Sequence, residues 1–202
     1  MQQVYENRIW TSLPSSLRIP WNGVLKPKHL TAYDRGAAPG KLEVLLAWHT
    51  LDDVDLEIVC PSGQIGGQSG RPGPGVCGDG KLDLDANRNL TENIQTEPVE
   101  HVVWRNNIPD GEYRFLAHIF KVKNPTHEQT IPFEMTVSLD GEQKKCSSSL
   151  NWFPRWQNIN SAGGGTLATK VAILTWRAGA PLPECNWTWQ DAIYCNGGCE
   201  KN

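Results

Sequence analysis

The sequence predicts an all-β protein, an antiparallel β-sandwich of the jelly-roll or Ig-like type. Short apolar runs with period-two alternation recur along the chain, and no segment shows a sustained apolar repeat of 3.6 residues with helix caps. The 19 Gly and 14 Pro residues lie between these runs rather than in one tail, as is typical of loop-rich β-proteins. A chain of 202 residues can bury one sizeable core and still carry decorations.

Eight strands are expected in chain order. Their predicted bounds are 42–49, 54–60, 81–85, 100–105, 112–122, 132–139, 143–147 and 166–177. The alternation is clearest in the sixth strand, where Phe133, Met135 and Val137 are separated by polar residues. Asp140 and Gly141 join the sixth strand to the seventh directly, which predicts a tight hairpin.

The chain divides into three regions. Residues 1–40 hold four prolines and little periodicity, which predicts an extended N-terminal arm. Residues 41–180 contain all the predicted strands and form the β-sandwich domain. Residues 181–202 form a Cys-rich C-terminal tail, where a single helical turn is expected near 189–194. The N-terminus shows no signal peptide, because it lacks a basic start followed by an apolar segment.

The charge pattern narrows the classes of partner. The net charge is −3 with an isoelectric point near 5.9, and Lys and Arg are scattered, so no basic stripe indicates a nucleic-acid partner. No apolar run approaches the roughly 18 residues that a membrane span needs. The expected partners are therefore protein subunits or glycans.

Two Asp-x-Asp pairs are the clearest chemical signal. In a strand, residues two apart point to the same face, so each pair presents two carboxylates together. Calcium takes about 6 to 8 oxygen ligands at roughly 2.4 Å, and calcium is the predicted cofactor. The alternative is that the acids are solvated surface positions met by neighbouring basic side chains. The predicted ligands are Asp53, Asp55, Asp83, Asp85 and Asn87.

The second acid pair does not form an EF-hand loop. Such a loop needs Gly at its sixth position and Glu at its twelfth. Counting from Asp83, these positions hold Arg88 and Ile94, and no helical pattern flanks them. A metal would therefore bind at a sheet edge and its loops.

The six cysteines favour disulfides. Cys60 ends a predicted strand and Cys77 follows a Gly- and Pro-rich loop, so a bond between them would close that loop and contribute about 3 kcal/mol. The other four are expected to pair among themselves, and they are Cys146, Cys185, Cys195 and Cys199. A four-thiolate zinc site is disfavoured because the paired Cys-x2-Cys knuckles are missing, and reduced thiols are the third alternative. Disulfides predict an extracellular location or a virion surface.

Tryptophan is abundant, with nine residues. Trp48, Trp104 and Trp176 fall inside predicted strands and are expected in the core. Trp152 and Trp156 lie in a long segment that ends in a triple Gly, and we predict that they bind ligand as a stacking platform for sugar rings. The alternative is that both rings are buried under their own loop.

The body of the chain resembles the bacterial YfaP-like domains, the family DUF2135. The segments that carry this resemblance are 46–48, 53–56, 61–63, 80–85, 98–104 and 111–115, within a match over about 42–145. One departure is that Asp53-Val54-Asp55 stands where the family has Asp-Leu-Asp. The resemblance implies a β-sandwich accessory domain of surface or exported proteins without an established catalytic role.

Three functions follow in order of preference. The first is a non-enzymatic structural or binding protein, a subunit or decoration of a larger extracellular assembly such as a phage virion or surface filament. The second is an exported calcium-dependent module for carbohydrate binding or adhesion. The third is a glycoside hydrolase with Asp55 and Asp85 as its carboxylates, which would have to lie about 5 to 9 Å apart around a cleft. Neither a Gly-x-Ser-x-Gly elbow nor a His-Glu-x-x-His motif is present.

Overall fold

Two antiparallel five-stranded sheets face each other in the computed structural model, which describes residues 32–66, 77–87, 94–123, 128–152 and 166–195, with backbone alone for 166–170 and 191–195. The strands are β1 (Leu42–Trp48), β2 (Asp53–Cys60), β3 (Gly63–Gly66), β4 (Lys81–Leu84), β5 (Val99–Trp104), β6 (Glu112–Lys121), β7 (Gln129–Leu139), β8 (Glu142–Trp152), β9 (Thr166–Arg177) and β10 (Thr188–Cys195). The predicted all-β sandwich is confirmed.

The first sheet has the strand order β4-β5-β1-β7-β8, and the second has the order β10-β9-β6-β2-β3. The chain passes repeatedly from one sheet to the other, so each sheet combines strands that lie far apart in the sequence. The predicted hairpin is present between β7 and β8, where Leu139 pairs with Glu142. Asp140 and Gly141 have φ values of 49° and 89°, the left-handed conformations that a two-residue turn of this kind requires.

The space between the sheets is filled with aromatic side chains. Trp48, Trp104 and Trp176 are buried there, as predicted. Tyr113 lies between two of them, with ring centroids 5.8 Å from Trp104 and 5.5 Å from Trp176. The indole N–H of Trp104 donates to the carbonyl oxygen of Cys77 at 2.7 Å, so this large ring is buried without leaving its polar atom unsatisfied.

Both faces of the first sheet are covered at its centre. All seven residues of β1 and all six of β5 are buried. The inner face meets the second sheet, and the outer face meets a segment that we name the N-terminal strap, residues 32–40. The strap begins with a helical turn, and Gly36 then reverses the chain at a φ of 97°. The C-terminal part of the predicted arm is thus packed against the sandwich.

Two strands were not predicted from the sequence. β3 has only four residues, two of them Gly, which lowers its strand propensity. β10 replaces the helical turn expected near 189–194, and that prediction is wrong. The segment carries aromatic and β-branched residues and pairs along its full length with β9, from Thr188↔Ile173 to Cys195↔Thr166, and a continuous ladder outweighs one isolated helical turn. The sandwich therefore extends beyond residue 180.

Two disulfides are present in the described part of the chain. Cys60 is bonded to Cys77, as predicted, with a sequence separation of 17. Cys146 is bonded to Cys185, with a separation of 39, which attaches the segment before β10 to the edge strand β8. The side chain of Cys195 and all of Cys199 lie outside the described residues, so their predicted pairing stays a prediction.

Among the described residues, we find no helix with the length and apolarity needed to traverse a lipid bilayer.

Candidate functional site

The two predicted acid pairs lie in different sheets. Asp53 and Asp55 belong to β2 in the second sheet, Asp83 belongs to β4 in the first, and Asp85 follows the end of β4. One shared sheet face, on which all four carboxylates would converge, is therefore not formed.

A register shift in β4 separates the members of the second pair further. The pairing of β4 with β5 is irregular between Leu82 and Leu84, and one extra residue in a strand interrupts the alternation of faces. The period-two spacing that would place Asp83 and Asp85 on one face is broken at this point. Asp83 instead contacts His101 of β5.

Asp83 is part of a buried polar cluster that we name the His101 cluster: His101, Asp83 and Glu43. The ring nitrogen Nδ1 of His101 lies 2.6 Å from Oδ1 of Asp83, and Nε2 lies 3.3 Å from Oε2 of Glu43. The His101 side chain is 1% exposed, and the two carboxylates are 8% and 7% exposed. Each imidazole nitrogen therefore faces a carboxylate in a site that excludes water.

The carboxylates keep His101 charged. Burial lowers its pKa, but the hydrogen bonds and charges of Asp83 and Glu43 outweigh burial and raise the pKa to about 9. At neutral pH the imidazole is thus an imidazolium that donates from both nitrogens. A cation lies between two anions, which is the arrangement that a buried charge needs.

The carboxylates of the His101 cluster also bind the strap. The backbone N–H of Ala38 donates to Oδ2 of Asp83 at 2.8 Å. The N–H of Gly40 donates to Oε1 of Glu43 at 2.9 Å, and the hydroxyl of Tyr33 donates to Oε2 of Glu43 at 2.7 Å. The oxygens of Asp83 are therefore engaged by protein donors, and this residue, predicted as a calcium ligand, acts as a clamp for the strap.

Asn87, the fifth predicted ligand, braces two loops. Its Nδ2 donates to the carbonyl oxygens of Asp52 at 3.2 Å and Gln95 at 3.4 Å, and its Oδ1 accepts the Gln95 N–H at 2.7 Å. The residue is buried and has a φ of 60°, a conformation that Asn tolerates better than most residues. Its amide joins the loop after β4 to the loop before β2.

The other three predicted acids act through their charge on a buried carboxyl that the sequence did not single out, Glu100 of β5. Its Oε2 accepts the backbone N–H of Leu56 at 2.5 Å across the space between the sheets. Burial first, and then the charges of Asp55, Asp85 and Asp53, raise the pKa of Glu100 well above its usual range. Acids from both sheets are thus close enough to influence one another, and we name Glu100 with these three the Glu100 acid group.

A second buried histidine, His118 of β6, lies beside β2. Nε2 of His118 in β6 is 3.9 Å from Oδ2 of Asp55 and 3.7 Å from Oε2 of Glu57. His118 is fully buried. Asp55 therefore lies near the His118 imidazole and also acts through its charge on Glu100.

The acidic residues do not form a metal site in the described part of the chain. No three His, Cys, Asp or Glu side chains there come together in an arrangement that could hold a metal ion. The carboxylates of the Glu100 acid group influence one another electrostatically, but they do not form a coordination shell. Of the predicted calcium ligands, Asp53, Asp55 and Asp85 all act on the charge of Glu100, whereas Asp83 binds His101 and Asn87 binds backbone groups of the loops.

The predicted sugar platform is not available at Trp152. The ring is 2% exposed and belongs to the main core, so its face cannot stack on a sugar; a large ring at an inward strand position gains more by burial. Trp156 lies outside the described residues. Trp152 also lines a cavity of about 210 Å³, whose other lining residues are Glu128, Gln129, Thr130 and Asn151.

Glu43, Glu100, His101 and His118 were missed as site residues. A signal for two of them was present, since β5 reads VEHVVW, with two ionisable residues inside a short apolar strand. A strand that is buried on both faces must give each such residue a partner. The sequence did not show which partners these are, because Glu43, Asp83 and Leu56 lie far away along the chain.

Comparisons of the chain with models of protein families, with curated proteins and with solved structures found no match.

Proposed function

We propose that the protein is a non-enzymatic structural or binding β-sandwich, a subunit or decoration of a larger extracellular assembly such as a phage virion or a surface filament. The observation that supports this proposal is that the buried ionisable groups of the His101 cluster bind other parts of the protein. His101, Asp83 and Glu43 bind one another and backbone N–H groups of the strap. Groups fixed in this way hold the scaffold together and are not presented to a substrate.

The covalent links support an extracellular setting. Two disulfides hold the base of one loop and the segment before β10, and such bonds persist in oxidising compartments. A subunit of an exposed particle benefits from links that limit unfolding outside the cell.

Mass spectrometry of purified particles and washed surface fractions tests the proposal. We expect the chain at a constant ratio to the major subunit across a density gradient, and we expect no turnover on a panel of polysaccharides. Recovery in the soluble fraction alone, or hydrolysis that Asp85→Asn abolishes, would contradict the proposal.

A calcium-dependent carbohydrate-binding or adhesion module is the second candidate. The Glu100 acid group favours it, because burial and then repulsion from the neighbouring carboxylates raise the pKa of Glu100, and a divalent cation would relieve that repulsion. Trp189 in β10 also favours it, since 44% of this residue is exposed and a tryptophan ring stacks well on sugars.

Melting curves with calcium and with chelator test the ion. Calcium at about 100 times its dissociation constant would add about 2.7 kcal/mol to the free energy of unfolding, and Asp85→Asn should reduce that gain while the exposed control Glu142→Gln retains it. Superimposed curves would exclude the ion. A glycan array with Trp189→Ala and Trp156→Ala would show whether either ring binds sugar.

A further inference from the structure

The N-terminal strap covers an apolar patch on the outer face of the first sheet. Its residues and the sheet residues beneath them form a separate buried cluster, apart from the main core between the sheets. This cluster consists of Ala32, Ala37, Leu45, Ala47 and Val99, with Tyr33 and Leu84 packed against it. The patch is small, so apolar burial alone holds the strap weakly.

Polar contacts supply the rest of the attachment. Three donors of the strap, the Tyr33 hydroxyl and the N–H groups of Ala38 and Gly40, bind the carboxylates of Glu43 and Asp83. Two further contacts lie outside the His101 cluster, where Nη1 of Arg35 donates to the carbonyl oxygen of Glu97 at 2.8 Å and to Oε1 of Gln95. Three of these five contacts therefore depend on the carboxylates of Glu43 and Asp83.

The ring of His101 lies between those carboxylates, and its positive charge offsets part of theirs. The groups that face its ring are Glu43 from β1 and Asp83 from β4, and Tyr33 from the strap reaches the ring through Glu43. With an imidazolium, the closed strap removes a net charge of about −1 from water, and with a neutral ring it removes about −2. Burying unpaired charge is costly, so loss of the imidazolium favours an open strap.

We propose that residues 32–40 form a latch, which the His101 cluster holds closed and which opens as a unit to uncover the apolar patch of the first sheet. The sandwich itself stays folded when the latch opens, because its main core lies on the other side of the sheet.

Limited trypsin digestion of the full chain at pH 8 tests the latch. Cleavage after Arg35, detected by mass spectrometry of the intact products, reports opening. We expect His101→Gln to accelerate this cleavage by about tenfold or more, since removing one partner from a buried charged cluster shifts an equilibrium by at least that factor. Lys145→Gln is the matched control, because it breaks an exposed ion pair with Glu134 between β7 and β8 that is not part of the His101 cluster. Cleavage of His101→Gln at the wild-type rate would overturn the proposal.

Amide hydrogen exchange of the wild-type protein is a second test, which does not depend on whether the His101→Gln variant folds. The Ala38 and Gly40 amides should lose protection as pH rises through about 9, after correction for intrinsic exchange, while amides of the β1–β7 ladder keep theirs. Loss of both sets together would mean that the strap and the sandwich open as one unit. Retention of both sets above this pH would mean that His101 does not hold the strap. Either result would refute the latch.

Discussion

His101 places one positive charge between two carboxylates from different strands, in a site only 1% exposed. Removing either carboxylate would leave a buried ion pair incomplete, which is among the costliest single changes that a protein core can undergo. The cluster connects β1, β4, β5 and the strap through side chains of three residues.

The first prediction concerns stability against pH. The folded pKa of His101 is raised from 6.5 to about 9, so its contribution is fully present below about pH 6.5 and is lost as pH rises through about 9. Its magnitude is on the order of 3 kcal/mol. Urea unfolding at pH 6, 8 and 10 should show this loss in the wild type and a flatter profile in His101→Gln. Parallel profiles for the two proteins would show that His101 is not the group responsible.

The second prediction concerns Glu100. Its pKa is raised by burial and by Asp55, Asp85 and Asp53, so its ionised form costs stability above its unfolded pKa. Glu100→Gln keeps an acceptor for the Leu56 N–H and removes the charge. We expect the variant to be more stable than the wild type by about 1 kcal/mol or more at pH 7 in chelator.

Urea unfolding at pH 7 and pH 4 checks this gain, which should shrink at the lower pH as the wild-type carboxyl becomes protonated. Glu142→Gln, an exposed change on β8, is the control. A Glu100→Gln variant less stable than the wild type at pH 7 would show that the ionised carboxylate is needed in the fold.

At the scale of elements, the sequence predicted the strands with strong alternation and the hairpin at Asp140-Gly141. It did not predict β3, whose Gly-rich sequence has little strand propensity, or β10, which depends on pairing with β9. Period-two spacing also could not reveal the irregularity between Leu82 and Leu84. One extra residue there sends Asp83 to the His101 cluster, and the predicted set of metal ligands fails at that point.

The third prediction compares the two disulfides. In the chain-entropy model, closing a loop of 17 residues contributes about 3 kcal/mol and closing one of 39 contributes about 4 kcal/mol. We therefore expect the Cys146→Ser/Cys185→Ser variant to lose more stability than Cys60→Ser/Cys77→Ser. Urea unfolding of both double variants measures the difference, and the opposite order would show that native packing around the loops outweighs loop length.

At the scale of the whole molecule, the segment between β9 and β10 helps to close one side of the sandwich. Trp187 packs edge-on against Phe133 of the opposite sheet, with ring centroids 5.2 Å apart. The disulfide from Cys185 to Cys146 attaches this segment to β8. The boundary at residue 180 that composition indicates therefore cuts through a folded unit, because composition cannot show where a strand finds its partner.

The fourth prediction is that a chain ending at Ala180 is unstable. It lacks β10 and the Trp187–Phe133 contact, and it leaves β9 as an unpaired edge, which promotes aggregation. We expect a lower melting temperature and oligomers in analytical ultracentrifugation. Cys146→Ser/Cys185→Ser is the control, since it removes the covalent link alone. Equal behaviour of the two proteins would assign the whole effect to the disulfide.

The chain passes back and forth between the two sheets, and this topology affects how fast the protein folds. The pairing at the centre of the first sheet joins Leu42 to Leu139, so neither layer can be completed before most of the polypeptide has been synthesised. Topologies with such distant pairings fold on the millisecond-to-second scale. During that interval the incomplete chain would expose unpaired strand edges, which promote aggregation. The β7–β8 hairpin has a turn of only two residues, so we expect it to form first. Stopped-flow tryptophan fluorescence that showed complete refolding within microseconds would contradict this order of events.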